Sequence, residues 1–180
     1  MPGVSHKKIV ITGGPGTGKT SVVEILKQRG HVCFPEISRQ VTLEAQKQGI
    51  EQLFLEDPLL FSKKLLEGRV SQFKEALNHP EKSVFLDRGI PDVVAYLDYA
   101  NQTYPPYFTR ACEQHTYDKI FLLPPWEDIY ISDNERYENF EQAVLIHDHL
   151  EAAYKRYGYH LVEVPTGTVD LRADFIEKNL

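Results

Sequence analysis

Cysteine is scarce: among 180 residues only Cys33 and Cys112 carry thiols, and there is one Met and one Trp. Two isolated thiols match no zinc-ligand spacing and no disulfide framework. They read as reduced thiols of a cytoplasmic protein. Long apolar runs are missing too. After the basic start His6-Lys7-Lys8, the first hydrophobic run is only Ile9-Val10-Ile11, where a secretory signal needs roughly 7–15 apolar residues. No stretch approaches the roughly 20 apolar residues of a membrane helix, so no membrane span is expected. Nor is there an excess of basic charge, since 20 Lys and Arg stand against 26 Asp and Glu, for a net charge of −6. Non-specific nucleic-acid binding relies on clustered cations, so no nucleic-acid partner is expected. A local basic pocket for a phosphorylated small molecule stays compatible with that balance.

What is present is a globular composition, 42% hydrophobic and 26% charged. That profile and length predict a single domain over residues 1–180, large enough to bury a core without disulfides or metals. Apolar runs predict strands at Lys7–Thr12, Val32–Phe34, Ser83–Asp87, Tyr117–Leu123 and Tyr159–Val164. Helical spacing predicts Ser21–Arg29, Ser38–Gln48, Asp92 to about Asn101 and Asp170–Lys178. A short helix is expected after Tyr104-Pro105-Pro106-Tyr107. Asp57-Pro58 reads as an N-cap with Pro at the first helical position. It opens a helix to about Asn78 with Leu59, Leu66, Val70, Phe73 and Leu77 on one stripe. Phe140, Val144, His147, Leu150 and Tyr154 make another stripe. The polar segment 130–139 reads as a loop. Strands alternating with helices predict an α/β fold, a five-stranded parallel sheet covered on both faces. No helix has an obvious unmatched apolar face, and the oligomeric state stays open.

In such a sheet ligands bind outside the carboxyl ends of the strands, and the informative residues cluster there. Gly13-Gly14-Pro15-Gly16-Thr17-Gly18-Lys19-Thr20 fits G-x-x-x-x-G-K-S/T in full, between a strand and a helix. The glycines let backbone N–H groups surround phosphate oxygens, and the helix opening near Ser21 points its positive end at the same place. Lys19 supplies a cation for β- and γ-phosphates, and Thr20 a hydroxyl for Mg²⁺. Asp87 closes an apolar strand, where a carboxylate would hold Mg²⁺ directly or through water; its alternative role is to cap the next turn.

Arg88 comes next, where a ring-forming motor or helicase usually carries a Glu to activate water. A guanidinium there suits anionic substrate or phosphate oxygens. The guanine tetrapeptide N-K-x-D is absent, which tilts the nucleotide toward ATP with GTP possible. Glu36, just past the second strand, suits a proton acceptor for an attacking hydroxyl, or equally an acid complementing a helix start. Arg39 reads as a surface or phosphate-side cation. Arg136, in the polar loop 130–139, is placed to close over the phosphates as a lid, or to be solvated. His147 on its apolar stripe reads as a packed, hydrogen-bonded histidine, and Trp126 as a packing residue.

These pieces resemble the small P-loop family labelled AAA domain, which is similar to the nicotinamide-riboside kinase domain of the NadR type. The matching stretches are Gly13 to Thr20, Glu36 to Arg39, Leu86-Asp87-Arg88-Gly89-Ile90-Pro91-Asp92, and Arg136 to Ile176, including Leu150 to Tyr154, Val164-Pro165 and Arg172. The resemblance implies a P-loop NTPase three-layer sandwich of the nucleoside and nucleotide kinase type. It implies that Glu36, Asp87 and Arg88 face the phosphoryl acceptor, and that Arg136 covers the phosphates. It also implies that Thr166 and Gly167, in the loop after the last strand, lie near the base. The expectation is a small-molecule kinase using ATP and Mg²⁺ on a nucleoside-like acceptor. The alternative is a nucleotide-binding switch or slow NTPase with no small-molecule acceptor.

Overall fold

The computed structural model describes residues 6–130 and 138–180. Its five strands are β1 (Lys7–Gly13), β2 (Val32–Phe34), β3 (Ser83–Asp87), β4 (Lys119–Leu123) and β5 (Leu161–Glu163). All pair in parallel, in the order β2-β3-β1-β4-β5. β1 is central because it is apolar on both faces. Val10 points into one core with Val84, Leu86 and Ile120, while Ile9 and Ile11 point into another with Phe85 and Phe121. Side chains of a strand alternate between faces, so only a continuous apolar run satisfies both.

Helices α1 (Lys19–Gln28) and α8 (Val169–Lys178) cover the Ile9/Ile11 face through Val22, Leu26, Ala173 and Ile176. The opposite face is covered by α2 (Ser38–Lys47), α3 (Leu53–Glu56), α4 (Pro58–Leu77), α5 (Ile90–Tyr99), α6 (Pro106–Gln114) and α7 (Phe140–Arg156). This is the expected α/β sandwich, a five-stranded parallel sheet between helical layers. Among the described residues no helix is long and apolar enough to cross a membrane.

Most elements lie where the sequence places them, with local corrections. Asp57 caps α4 by accepting from Leu60 N at 3.1 Å, with Pro58 behind it. The expected stripe fails at its ends, however: Leu59 is 36% and Leu77 47% exposed. The buried face of α4 is Ser62, Leu65, Leu66, Arg69, Gln72, Phe73 and Ala76, because two polar side chains turn inward to bind the end of β2. α5 begins at Ile90, two residues before Asp92, because the Asp92 carboxylate reaches back to accept from Gly89 N at 2.9 Å. α7 buries Ala143, Ile146, Leu150, Ala153 and Tyr154, so its inward face is rotated from the expected stripe. The small Ala143 lets α7 approach the glycine loop, where a Cβ on Gly14 would lie 3.3 Å from the Ala143 carbonyl oxygen. The four-residue α3 and a 3₁₀ turn at Glu127–Ile129 are too short to show periodicity.

β1 has β3 on one side and β4 on the other, with Ile11 opposite Asp87 and Gly13 opposite Leu123. The chain therefore leaves the two sides of β1 in opposite directions. The crevice of a doubly wound sheet opens at such a switch point.

Candidate functional site

Gly13 ends β1 at that crevice and must be glycine, since a Cβ there would meet the Leu123 carbonyl oxygen and Thr17 Oγ1 at 2.9 Å each. Gly16 and Gly18 adopt left-handed conformations at φ 70° and 81°, which glycine reaches without steric cost. Thr17 Oγ1 donates to the Gly14 carbonyl at 3.0 Å and closes the loop on itself. Helix α1 then starts at Lys19, so the loop's amides and the helix N-terminus face one place. Pro15 borders the cleft that opens there, and Thr20 and Ser21 stand exposed on the first turn of α1.

The cleft has a volume of about 690 Å³ and extends from the loop to Glu36, Arg39, Asp87 and Arg88. Inside it Lys19, only 8% exposed, donates to the Asp87 carboxylate. Burial pushes the Lys19 ammonium below its ordinary value and the Arg88 charge adds to this, while Asp87 opposes both. An anion delivered between Lys19 and Arg88 would relieve that strain.

Arg88 adopts φ 74°, a conformation uncommon outside glycine. Its N–H donates to the Ile11 carbonyl at 2.9 Å, its Nη1 to Asp92 Oδ1 at 3.1 Å, and its guanidinium lies 5.5 Å from the Tyr96 ring centroid. Asp92 is fully buried and accepts also from Thr12 Oγ1, the Tyr154 hydroxyl and Gly89 N. Burial would raise its pKa, but Arg88 and Arg69 outweigh it and hold the carboxyl low.

Glu36 accepts from Ser38 N at 3.1 Å, from Ser38 Oγ, and from Arg69 Nη2 at 3.0 Å. Arg69 Nη1 reaches the Gly89 carbonyl at 3.4 Å, and Gln72 Nε2 donates to the Pro35 carbonyl at 2.7 Å. Burial opposes ionisation of Glu36, yet Arg69, Arg88 and Ser38 prevail and hold it down at about 2. Glu36 is thus an ionised hydrogen-bond acceptor at neutral pH.

The structure brings Gly14 to Thr20, Glu36, Asp87 and Arg88 around one cleft, with Gly13 buried behind the loop and Arg39 exposed at the cleft's edge. It does not place Thr166 or Gly167 on that cleft. They lie in the loop after β5, which Arg172 ties to the glycine loop by donating from Nε to the Pro165 carbonyl and from Nη1 to the Thr17 carbonyl. Arg136 lies outside the described residues. His147 is half-buried on α7, and its Nδ1 is buried without a partner among the described residues. Trp126 does pack, against the Arg172 guanidinium. Sequence reasoning missed Arg69, Gln72 and the hub at Asp92. The signal for the first two was available: both share the i, i+3, i+7 face of α4 with Leu65 and Ala76.

A family model described as AAA domain matches residues 8–172. No curated protein matches the chain. Among solved structures, a deoxyadenosine kinase from M. mycoides with dCMP and dCDP bound is similar at a TM-score of 0.71 and 19% identity, covering 96% of this chain and 97% of that one. The NadR protein in complex with NR is similar at a TM-score of 0.70 and 18% identity. There 96% of this chain is covered but only 50% of the other, so the chain spans about half the length of NadR. The NadR protein in complex with NAD and AMP-PNP gives a TM-score of 0.66 at 18% identity, covering 96% of this chain and 48% of that one. These likenesses show that the chain shares the fold of those structures.

Proposed function

The chain belongs to the AAA domain family, and on that premise we propose that it is a cytoplasmic, single-domain kinase moving the γ-phosphoryl group of ATP to a nucleoside-like small molecule. The observation that carries this reading is the cleft's second wall. Beyond the glycine loop and Lys19 stand two carboxylates, Glu36 and Asp87, and the Arg88 guanidinium, with Arg69 buried behind Glu36, each held in an ion pair. A site built only to bind or slowly hydrolyse a nucleotide would use Asp87 for Mg²⁺ but has no use for Glu36, Arg69 and Arg88 beyond it. The likeness to a deoxyadenosine kinase and to NadR with NR bound points to the same acceptor class.

The glycine-loop amides and Lys19 would bind the β- and γ-phosphates, and Arg88 would meet charge on the transferred group. The acceptor's hydroxyl oxygen bonds to the γ-phosphorus, the bond to the bridging β-oxygen breaks, and the ADP oxygen leaves with its electron pair. The hydroxyl proton passes to the Asp87 carboxylate. Glu36 orients the hydroxyl, because its charge is fixed at neutral pH. Thr20 and Asp87 supply oxygen donors suited to Mg²⁺, which keeps most of its shell as water and phosphate oxygens and neutralises phosphate charge. Arg136 is proposed as the lid cation, and Thr166 and Gly167 as base-side contacts.

The experiment is Mg-ATP consumption with and without a panel of nucleosides, nicotinamide riboside and nucleoside monophosphates, with Lys19→Ala as blank. Strong stimulation by one acceptor, lost in the blank, supports the kinase. Slow turnover indifferent to every acceptor defeats it in favour of a nucleotide switch.

A further inference from the structure

Arg172 is among the largest fully buried side chains, at 2% exposure, and lies in helix α8 near the end of the chain. Burial alone moves its pKa, and moves it down. Among the described residues no carboxylate pairs with it and its buried Nη2 has no hydrogen-bond partner. What holds the cation is two carbonyl oxygens from separate loops and an indole. Nη1 donates to Thr17 O at 2.6 Å, Nε donates to Pro165 O at 3.0 Å, and the guanidinium carbon sits 5.7 Å from the Trp126 ring centroid. A buried, unpaired cation costs stability, so its presence calls for a role other than holding the fold.

Thr17 and Gly18 line the cleft, whereas Arg172 does not. A trans peptide places its carbonyl oxygen and its N–H on opposite sides. Turning the Thr17 carbonyl outward to Arg172 therefore turns the Gly18 N–H toward the cleft. A cation on the carbonyl also polarises the peptide and strengthens that N–H as a donor. The fit is close: a Cβ on Gly18 would lie 2.9 Å from Arg172 Nη1.

We propose that Arg172 is a positioning residue for phosphate binding: its guanidinium fixes the Thr17–Gly18 peptide with the N–H facing the phosphates, and its second arm anchors the loop after β5 to the same peptide. It acts through the backbone and touches no ligand. The inference rests on the glycine loop binding a nucleoside triphosphate, and the test separates the two.

The test is calorimetric binding of Mg-ATP and of inorganic tripolyphosphate, which has no base or sugar, to wild type, Arg172→Met and Arg172→Lys, with thermal melts of each. If the wild type binds neither, the nucleotide-binding reading fails, and this one with it. Given wild-type binding, Arg172→Met is expected to weaken both ligands alike by roughly tenfold, the scale of one charge-assisted hydrogen bond, without lowering the melting temperature. Arg172→Lys holds one carbonyl instead of two and is expected to lose roughly threefold. Unchanged affinity in a folded Met variant overturns the proposal. So does a loss confined to ATP, which would make Arg172 a reader of the base. Should the Met variant not fold, wild-type affinity in the Lys variant overturns it.

Discussion

Arg69 Nη2 donates to Glu36 Oε1 at 3.0 Å across 33 residues of sequence, joining the middle of α4 to the end of β2. Arg69 is 3% exposed, and its other arm reaches the Gly89 carbonyl beside Arg88. One guanidinium thus bridges the two halves of the wall proposed to face the acceptor. Removing one member of a buried pair leaves the other charge uncompensated. Because the Glu36 side chain keeps 22% of its exposure, the cost falls below the fully buried case. Arg69→Met is expected to destabilise by roughly 1–3 kcal/mol, read from the midpoint of urea unfolding. It should also raise the acceptor KM, because Glu36 is freed to turn. An unchanged midpoint would show that the pair contributes nothing net.

The same pair sets an acid limb of stability. Glu36 is held at about 2 in the folded chain, against roughly 4.3 in an unfolded one. A folded pKa below the unfolded one gives stability that is complete above the unfolded value and disappears as pH falls through the folded value. The advantage of wild type over Glu36→Gln should therefore be constant above about pH 5 and shrink between about pH 4.3 and 2, by roughly 3 kcal/mol at most. Denaturation series on both proteins across that window measure it, and parallel curves would contradict the linkage.

What could be read from the sequence is what is written locally. The glycine loop is contiguous, and its backbone demands fall on Gly13, Gly16 and Gly18 whatever the rest of the fold does. β1 is readable because both of its faces are buried, so Ile9, Val10 and Ile11 need no partner to announce a strand. Asp87 and Arg88 could be placed because they end such a run. Helical spacing puts Arg69 and Gln72 on the inward face of α4, but what they bind there is not written locally, because their partners Glu36 and Pro35 lie far away in sequence. The inward face of α7 was misplaced for a different reason. It is defined by Ala143 and Ala153, whose small size allows close approach, and a stripe of bulky residues does not register them. Arg172 could be matched to a family pattern, but its hold on Thr17 spans 155 residues and is a purely tertiary fact.

Asp92 offers a stability test away from the open cleft. Fully buried, it accepts from the Tyr154 hydroxyl on α7, Thr12 on β1 and Arg88. Tyr154→Phe keeps the packing and removes one donor to a charged acceptor, a loss of roughly 1.5–3 kcal/mol. In a chain of this size that lowers the melting temperature by roughly 3–12 °C. Because Asp92 also holds the Arg88 guanidinium, the variant should lose some turnover even where it remains fully folded. A lower melting temperature with unaltered turnover would confine the Asp92 hub to a structural part.

Lys19 and Arg88 are the two cations that flank Asp87, and they should separate kinetically. Lys19 lies on the glycine-loop side, inside the first turn of α1, and its buried ammonium is held below its ordinary value by burial and by Arg88. Phosphate oxygens favour its charged form, so Lys19→Ala should weaken Mg-ATP binding in the absence of any acceptor. Arg88 points from the end of β3 to Asp92 and Tyr96, on the acceptor side. Arg88→Lys keeps the positive charge but loses the planar fork. It should leave Mg-ATP affinity within about twofold while lowering kcat by roughly a hundredfold, the scale of one preorganised donor to transition-state charge. Binding calorimetry and acceptor-stimulated turnover on the two variants decide the matter. If both lose nucleotide affinity equally, Arg88 serves the resting phosphates and not the transfer, and the acceptor wall would have to be reassigned to Glu36 and Arg69 alone.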